Sequence, residues 1–231
     1  FIKLHRGFFL YLFRRRKDTE TCKYDEIAGV VDRYGRQIAE ENYEVFVTGH
    51  SLGGALATVF SFYASTEERF TRNGPLKCIT FGAPMVGSYA FADSFFYQER
   101  QQKLMLARFH NTRDMVTHLP INLMYSTRGA KYYHTGIGIG LPRNYKKFQG
   151  LVPSKYYIDY YKKESWIKSY GRALGNNVFF HLPFPWRIRV VHDLDLHLKR
   201  MLFNQEHRKD SEKELTFEDL YRESWRKNGT K

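Results

Sequence analysis

Residues 45–60 read VFVTGHSLGGALATVF. Apolar and β-branched residues lead into Gly49, His50, Ser51, Leu52 and Gly53, and small residues lead out again through Gly54, Ala55 and Ala57. The first half has the composition of a buried strand, and the second that of a helix packed close to a neighbour. A G-x-S-x-G pattern alone arises by chance in roughly one chain in ten of this length, given average Gly and Ser usage. Set between a strand and a helix, it acquires a mechanism. The sharp turn lifts the serine hydroxyl above the carboxyl edge of a sheet and aims the first amides of the helix at the same point. An oxyanion formed there would meet the N–H of Leu52 and the positive end of the helix. Gly49, His50 and Gly53 are read as the elbow, with the glycines sparing volume beside a strained serine. The plainer alternative is a tight turn whose serine only caps the helix.

Outward from this corner, the spacing of Ile27, Val30, Val31, Tyr34 and Ile38 predicts an amphipathic helix over 24–41. YEVFVTG, KCITFG (77–82) and KLMLARFH (103–110) read as strands, and SYAFADSFFYQER between the last two as a helix. Strands alternating with helices predict an α/β fold, with a mostly parallel central sheet covered by helices on both faces. No repeat or Pro- or Gly/Ser-rich linker divides the chain, so residues 1–203 are expected to form one domain. Residues 204–231 read as a charged C-terminal tail or amphipathic helix, with Phe217, Leu220, Tyr221 and Trp225 on one face behind a Thr216 cap. The basic, aromatic stretch 143–187 reads as irregular. The opening FIKLHRGFFLYLF looks strand-like, and the chain begins inside it at Phe1, so further residues are expected upstream.

Composition narrows the class. The chain has 231 residues and 42% hydrophobic content, enough for one sizeable core. Thirty-seven Lys and Arg against 24 Asp and Glu give a net charge of +13, which favours anionic surfaces. No nucleic-acid recognition motif accompanies that charge, so no nucleic-acid partner is expected. Cys22 and Cys78 have no metal-ligand spacing and read as two thiols, with no metal or organic cofactor expected. The apolar run GFFLYLF is far short of the roughly 20 residues needed for a membrane span. Nothing in the chain fixes a compartment.

A serine hydroxyl needs a base and an orienting acid to become a nucleophile. In proteins built on such an elbow, the chain order is serine, then aspartate or glutamate, then histidine. Asp114 follows the strand KLMLARFH, on a loop at the same sheet edge as Ser51. His110 and His118 lie within a few residues of Asp114, and His134 follows it by only twenty; His181 sits in an aromatic stretch. His192 and His197, in IRVVHDLDLHLKRML, remain as the base. His197 shares a helical face with Leu194, Leu198 and Met201 and is expected to pack inward. His192 precedes Asp193, a good helix cap, and so would lie on a loop where its ring could reach both acid and serine. His192 is favoured, with His197 the alternative.

Taken together, these stretches resemble the class 3 (fungal-type) lipase family over most of residues 1–142. KLHRGFFLYL is similar to the segment before that family's first conserved helix, and VFVTGHSLGGALA to its nucleophile elbow. CITFGAPMVGSYAFA is similar to its next strand and turn, RFHNTRDMVTHLP to the stretch bearing its acid, and YYHTG to a further marker. The resemblance implies an α/β-hydrolase fold and a serine hydrolase acting on carboxylic esters of lipids, with Ser51, Asp114 and a late histidine as its triad. It also implies an upstream strand bearing a second oxyanion donor, followed by a lid, neither of which is in this sequence. The partners expected are a lipid ester and an anionic membrane or lipid-droplet surface. The competing expectation is a catalytically inactive hydrolase-fold module that binds anionic lipid or protein surfaces.

Overall fold

Among the described residues, four parallel strands lie side by side in sequential order: β1 (Phe46–His50), β2 (Leu76–Phe81), β3 (Leu104–Asn111) and β4 (Ile137–Leu141). The computed structural model describes residues 1–40, 42–111, 114–120, 131–141, 192–206 and 216–219. The stretch 143–187, His181 and the tail residues Leu220, Tyr221 and Trp225 lie outside the described residues. Register runs Gly49 to Thr80, Thr80 to Arg108 and Arg108 to Gly138, so all four strands end at one edge. Among the described residues, the α-helices are α1 (Arg6–Phe13), α2 (Lys23–Ala39), α3 (Leu52–Ala64), α4 (Glu68–Thr71), α5 (Tyr89–Arg100) and α6 (Leu194–Glu206).

Pleating divides β3 between two cores. Leu104 and Leu106 join Leu76 and Cys78 against Ala55 and Val59 of α3. Met105, Ala107 and Phe109 point the other way, to Ile137, Ile139 and the side chain of Phe217. Thr216 caps the residues after it: its hydroxyl accepts from the Asp219 amide at 3.1 Å, and the Asp219 carboxylate accepts from the Thr216 amide and hydroxyl. The cap expected at Thr216 is present, and Phe217 reaches the sheet.

Two local expectations are corrected, and one strand is added to those expected. The opening segment is helical from Arg6 to Phe13, not a strand. A short apolar run does not by itself separate the two; here the Phe9 and Phe13 rings stack at 4.9 Å, and Phe13 stacks on Tyr24 of α2 at 5.2 Å. The strand IGIGL went unread because its glycines dilute the apolar signal, although its isoleucines alternate. The helix over 24–41 forms, but its buried side chains are Tyr24 and Ala28. Ile27, Val30, Tyr34 and Ile38 are exposed and line an open groove of about 640 Å³ beside β1, which is the edge strand among the described residues. Cys22 and Cys78 are buried and unpaired, and burial pushes the Cys78 thiol up to about 12. Among the described residues, no helix is long and apolar enough to cross a membrane.

Candidate active site

Ser51 occupies the step from β1 to α3, with φ 56° and ψ −124°. Backbone of this kind costs a non-glycine residue about 1–3 kcal/mol and persists only where its surroundings over-determine it. The Ser51 amide donates to the Phe81 carbonyl at 2.9 Å, and its own carbonyl accepts from the amides of Gly54 and Ala55. Its hydroxyl makes no capping bond to α3. That removes the plainer reading, in which the serine exists to cap the helix. Ser51 is the residue that precedes the first turn of α3, which opens at Leu52, so it lies at the positive end of that helix.

The need for small residues at the turn is real but partly misplaced by the sequence reading. A Cβ at Gly49 would lie 2.3 Å from the Gly53 carbonyl oxygen, and one at Gly54 would lie 2.7 Å from the Ala83 Cβ. A Cβ at Gly53 would meet nothing within 4 Å. The tight positions are 49 and 54, because there the helix backbone comes down onto β1 and the loop after β2.

Past the end of β3, Asp114 is almost fully buried. Its Oδ1 accepts from the Val116 amide at 3.0 Å, and its backbone carbonyl accepts from the Thr117 hydroxyl at 2.7 Å. Its Oδ2 accepts from Nδ1 of His192 at 2.8 Å. A carboxylate acceptor at Nδ1 puts the neutral ring's proton there and leaves Nε2 with its lone pair. His192 Nε2 is buried, with no hydrogen-bond partner among the described residues, so the bond to the Ser51 hydroxyl is not formed here. Such bonds commonly tighten only when substrate is bound.

His197 is held elsewhere. It is fully buried, with Nδ1 at 2.9 Å from the Asp193 carbonyl and 3.0 Å from Asn111 Nδ2, and burial holds its imidazole below the ordinary histidine range. Its inward placement is as expected, but Leu194 and Leu198, assigned to the same face, are exposed. Among the described side chains of α6 the buried ones are polar: His197 and Arg200, one turn apart, with Arg200 Nη1 donating to Asn111 Oδ1 at 2.7 Å. Asp193 caps the helix as expected, its Oδ1 accepting from the Asp195 amide at 3.0 Å.

Two residues escaped the sequence reading. Gly82 has φ +58°, and a Cβ there would lie 2.9 Å from Asp114 Oδ2 and 3.0 Å from His192 Cε1. A glycine directly after a strand was the available signal. Asn111 ties β3 to α6, and nothing in the sequence marks it. Among the described residues, no cluster of His, Cys, Asp or Glu could hold a metal ion.

A parallel sheet with a strained serine turn and an Asp–His pair at one edge defines an α/β-hydrolase fold. The family model described as Lipase (class 3) matches residues 3–124, and the chain belongs to that family. It is 33% identical over 144 residues to phospholipase A1-Igamma1, chloroplastic, of Arabidopsis thaliana, a match covering 56% of this chain and 27% of that protein. It is 31% identical over 118 residues to a lipase of Rhizomucor miehei, covering 51% of this chain and 29% of that one. The solved Rhizomucor miehei triacylglyceride lipase overlaps 61% of this chain and 45% of its own, at 29% identity and a TM-score of 0.45. The chain spans less than a third of the length of the two curated relatives.

Proposed function

We propose that the protein is a serine hydrolase that cleaves carboxylic ester bonds of lipids through an acyl-serine intermediate. The observation that carries this reading is the His192–Asp114 hydrogen bond at the sheet edge where the strained Ser51 turn also lies. In this account, His192 Nε2 takes the Ser51 hydroxyl proton as Oγ attacks the ester carbonyl. Asp114 holds the ring in the tautomer that leaves Nε2 free and stabilises the imidazolium that forms. The developing oxyanion lies against the Leu52 amide and the positive end of α3. His192 then returns the proton to the departing alcohol, and a water, deprotonated by the same nitrogen, releases the acid.

Lipid esters as the substrate class are supported by the relatives, which carry the names phospholipase A1 and lipase. Arg14 and Arg15, exposed at the end of α1, fit docking to an anionic lipid surface, as the net charge of +13 does. Co-sedimentation with vesicles should then depend on their acidic lipid content; binding that ignores it removes the docking proposal.

In the intact protein, replacing Ser51 with Ala should abolish hydrolysis of a short-chain chromogenic ester. Turnover retained by that variant would contradict the assignment. A displaced histidine would argue for the competing reading, an inactive binding module; the 2.8 Å contact of His192 with Asp114 supports the hydrolase reading instead.

A further inference from the structure

We infer that His50 is a positioning residue for the base, and that it acts through the backbone of His192; the inference rests on the serine hydrolase reading above. His50 Nε2 lies 2.8 Å from the His192 carbonyl oxygen. A carbonyl can only accept, so His50 carries its proton on Nε2 and donates. This one bond joins residue 50, immediately before the nucleophile, to the backbone of the residue that would deprotonate it.

The bond acts on a variable that Asp114 leaves open. The carboxylate fixes the rotation of the His192 ring through Nδ1. It does not fix where the His192 Cα stands relative to Ser51, and the position of Nε2 depends on both. His50 supplies the second constraint, from the rigid end of β1. Its ring also packs between two others, 4.7 Å from His192 and 5.9 Å from His197.

The far side of this stack is anchored. His197 Nδ1 lies against the Asp193 carbonyl and Asn111, while Arg200 donates to Asn111 Oδ1 and, at 3.2 Å, to the Leu141 carbonyl. Those contacts tie α6 to the carboxyl ends of β3 and β4. His50 adds the tie to β1, so the segment bearing His192 is fixed against three strand ends of one sheet. Displacing a reacting group by about 1 Å can cost on the order of a hundredfold in rate. Losing the donor also leaves a part-buried carbonyl without that partner.

The test separates the donor from the ring. His50→Phe keeps an aromatic face and removes the donor; His50→Gln places an amide N–H near the position of Nε2. In the intact protein, serine labelling by a fluorophosphonate and ester hydrolysis per titrated serine are measured for both. For His50→Phe, both rates should fall about tenfold to a hundredfold, with KM changed less than about twofold. His50→Gln should recover to within about threefold of the parent. If His50→Phe does not fold, His50→Asn, whose amide stops short of the carbonyl, takes its place.

A donorless variant that retains the parent rates overturns the inference, and so does a folded His50→Gln variant as slow as the donorless one. In both cases the parent still labels at Ser51, so the hydrolase reading stands. A parent that does not label at Ser51 removes that reading and the positioning role with it.

Discussion

Asp114 and His192 are 78 residues apart in the chain, and their side chains meet at 2.8 Å through Oδ2 and Nδ1. The aspartate has no freedom to be elsewhere: its other oxygen holds the Val116 amide, and its carbonyl holds the Thr117 hydroxyl. A carboxylate this constrained can orient an imidazole without itself reorganising during a reaction.

Asp114→Asn tests that role with little disturbance of the loop, because an amide oxygen can still accept from Val116. Its Nδ2 would donate toward His192 Nδ1 and force the proton to Nε2, the wrong tautomer. The expected loss in kcat is about 10³- to 10⁴-fold, with the melting temperature nearly unchanged. Steady-state kinetics and thermal unfolding of the same preparation check it. A loss below tenfold would mean that Asp114 does not orient the base.

Gly82→Ala is expected to damage both stability and activity. The residue has φ +58°, and its added methyl would press on Asp114 Oδ2 and His192 Cε1. An L side chain in that region costs about 1–2 kcal/mol, and relief requires the acid–base pair to shift. Urea unfolding should show the stability loss, and kcat should drop by at least about tenfold. Unchanged kinetics would show that the pair tolerates displacement.

At the elbow, two flanking glycines should behave oppositely. Gly49→Ala drives a Cβ to 2.3 Å from the Gly53 carbonyl and should prevent the turn from closing, giving insoluble or unfolded protein. Gly53→Ala meets open space inside the first turn of α3. It should raise stability by about 0.5–1 kcal/mol through backbone entropy. Comparing the two by urea unfolding would refute this account of the turn if both were tolerated or both destroyed.

These contrasts show how much of the site was legible in sequence. Ser51 could be singled out because the elbow is local, and Asp114 and His192 because chain order and a helix cap leave few candidates for acid and base. Small residues at Gly49 and Gly54 are needed as expected, but the steric role expected of Gly53 is absent, since only the crossing of α3 over β1 decides which position is tight. Gly82 and Asn111 act through contacts with residues far along the chain; a glycine directly after a strand is the one local signal for the first, and no local pattern marks the second. The opening helix was misread for a related reason: Phe13 gains its helical register from Tyr24 and Phe9, not from its own apolar run.

Acid should destabilise the fold before its carboxylates are protonated. Burial, with Arg108 adding to it, holds His110 at about 4, and burial holds His134 well below the ordinary histidine range. In the unfolded chain both would titrate near 6.5. Between these values the unfolded state binds more protons than the folded state, so stability falls as pH falls through that window and is fully retained above it. His110 alone should account for about 1 kcal/mol of loss on going from pH 7.5 to 5.5. Urea midpoints at the two pH values measure it, and His110→Gln should remove that share of the dependence while the share of His134 remains. A flat profile in the parent protein would show that His110 does not stay neutral in the fold.

The most direct test of the central claim is the site of covalent capture. Intact protein treated with a labelled fluorophosphonate and digested for mass spectrometry should carry the adduct on Ser51, with labelling lost in His192→Ala but only slowed, and still on Ser51, in His197→Phe. An adduct on another residue, or none on a folded protein, would contradict the proposal that this turn holds an activated nucleophile.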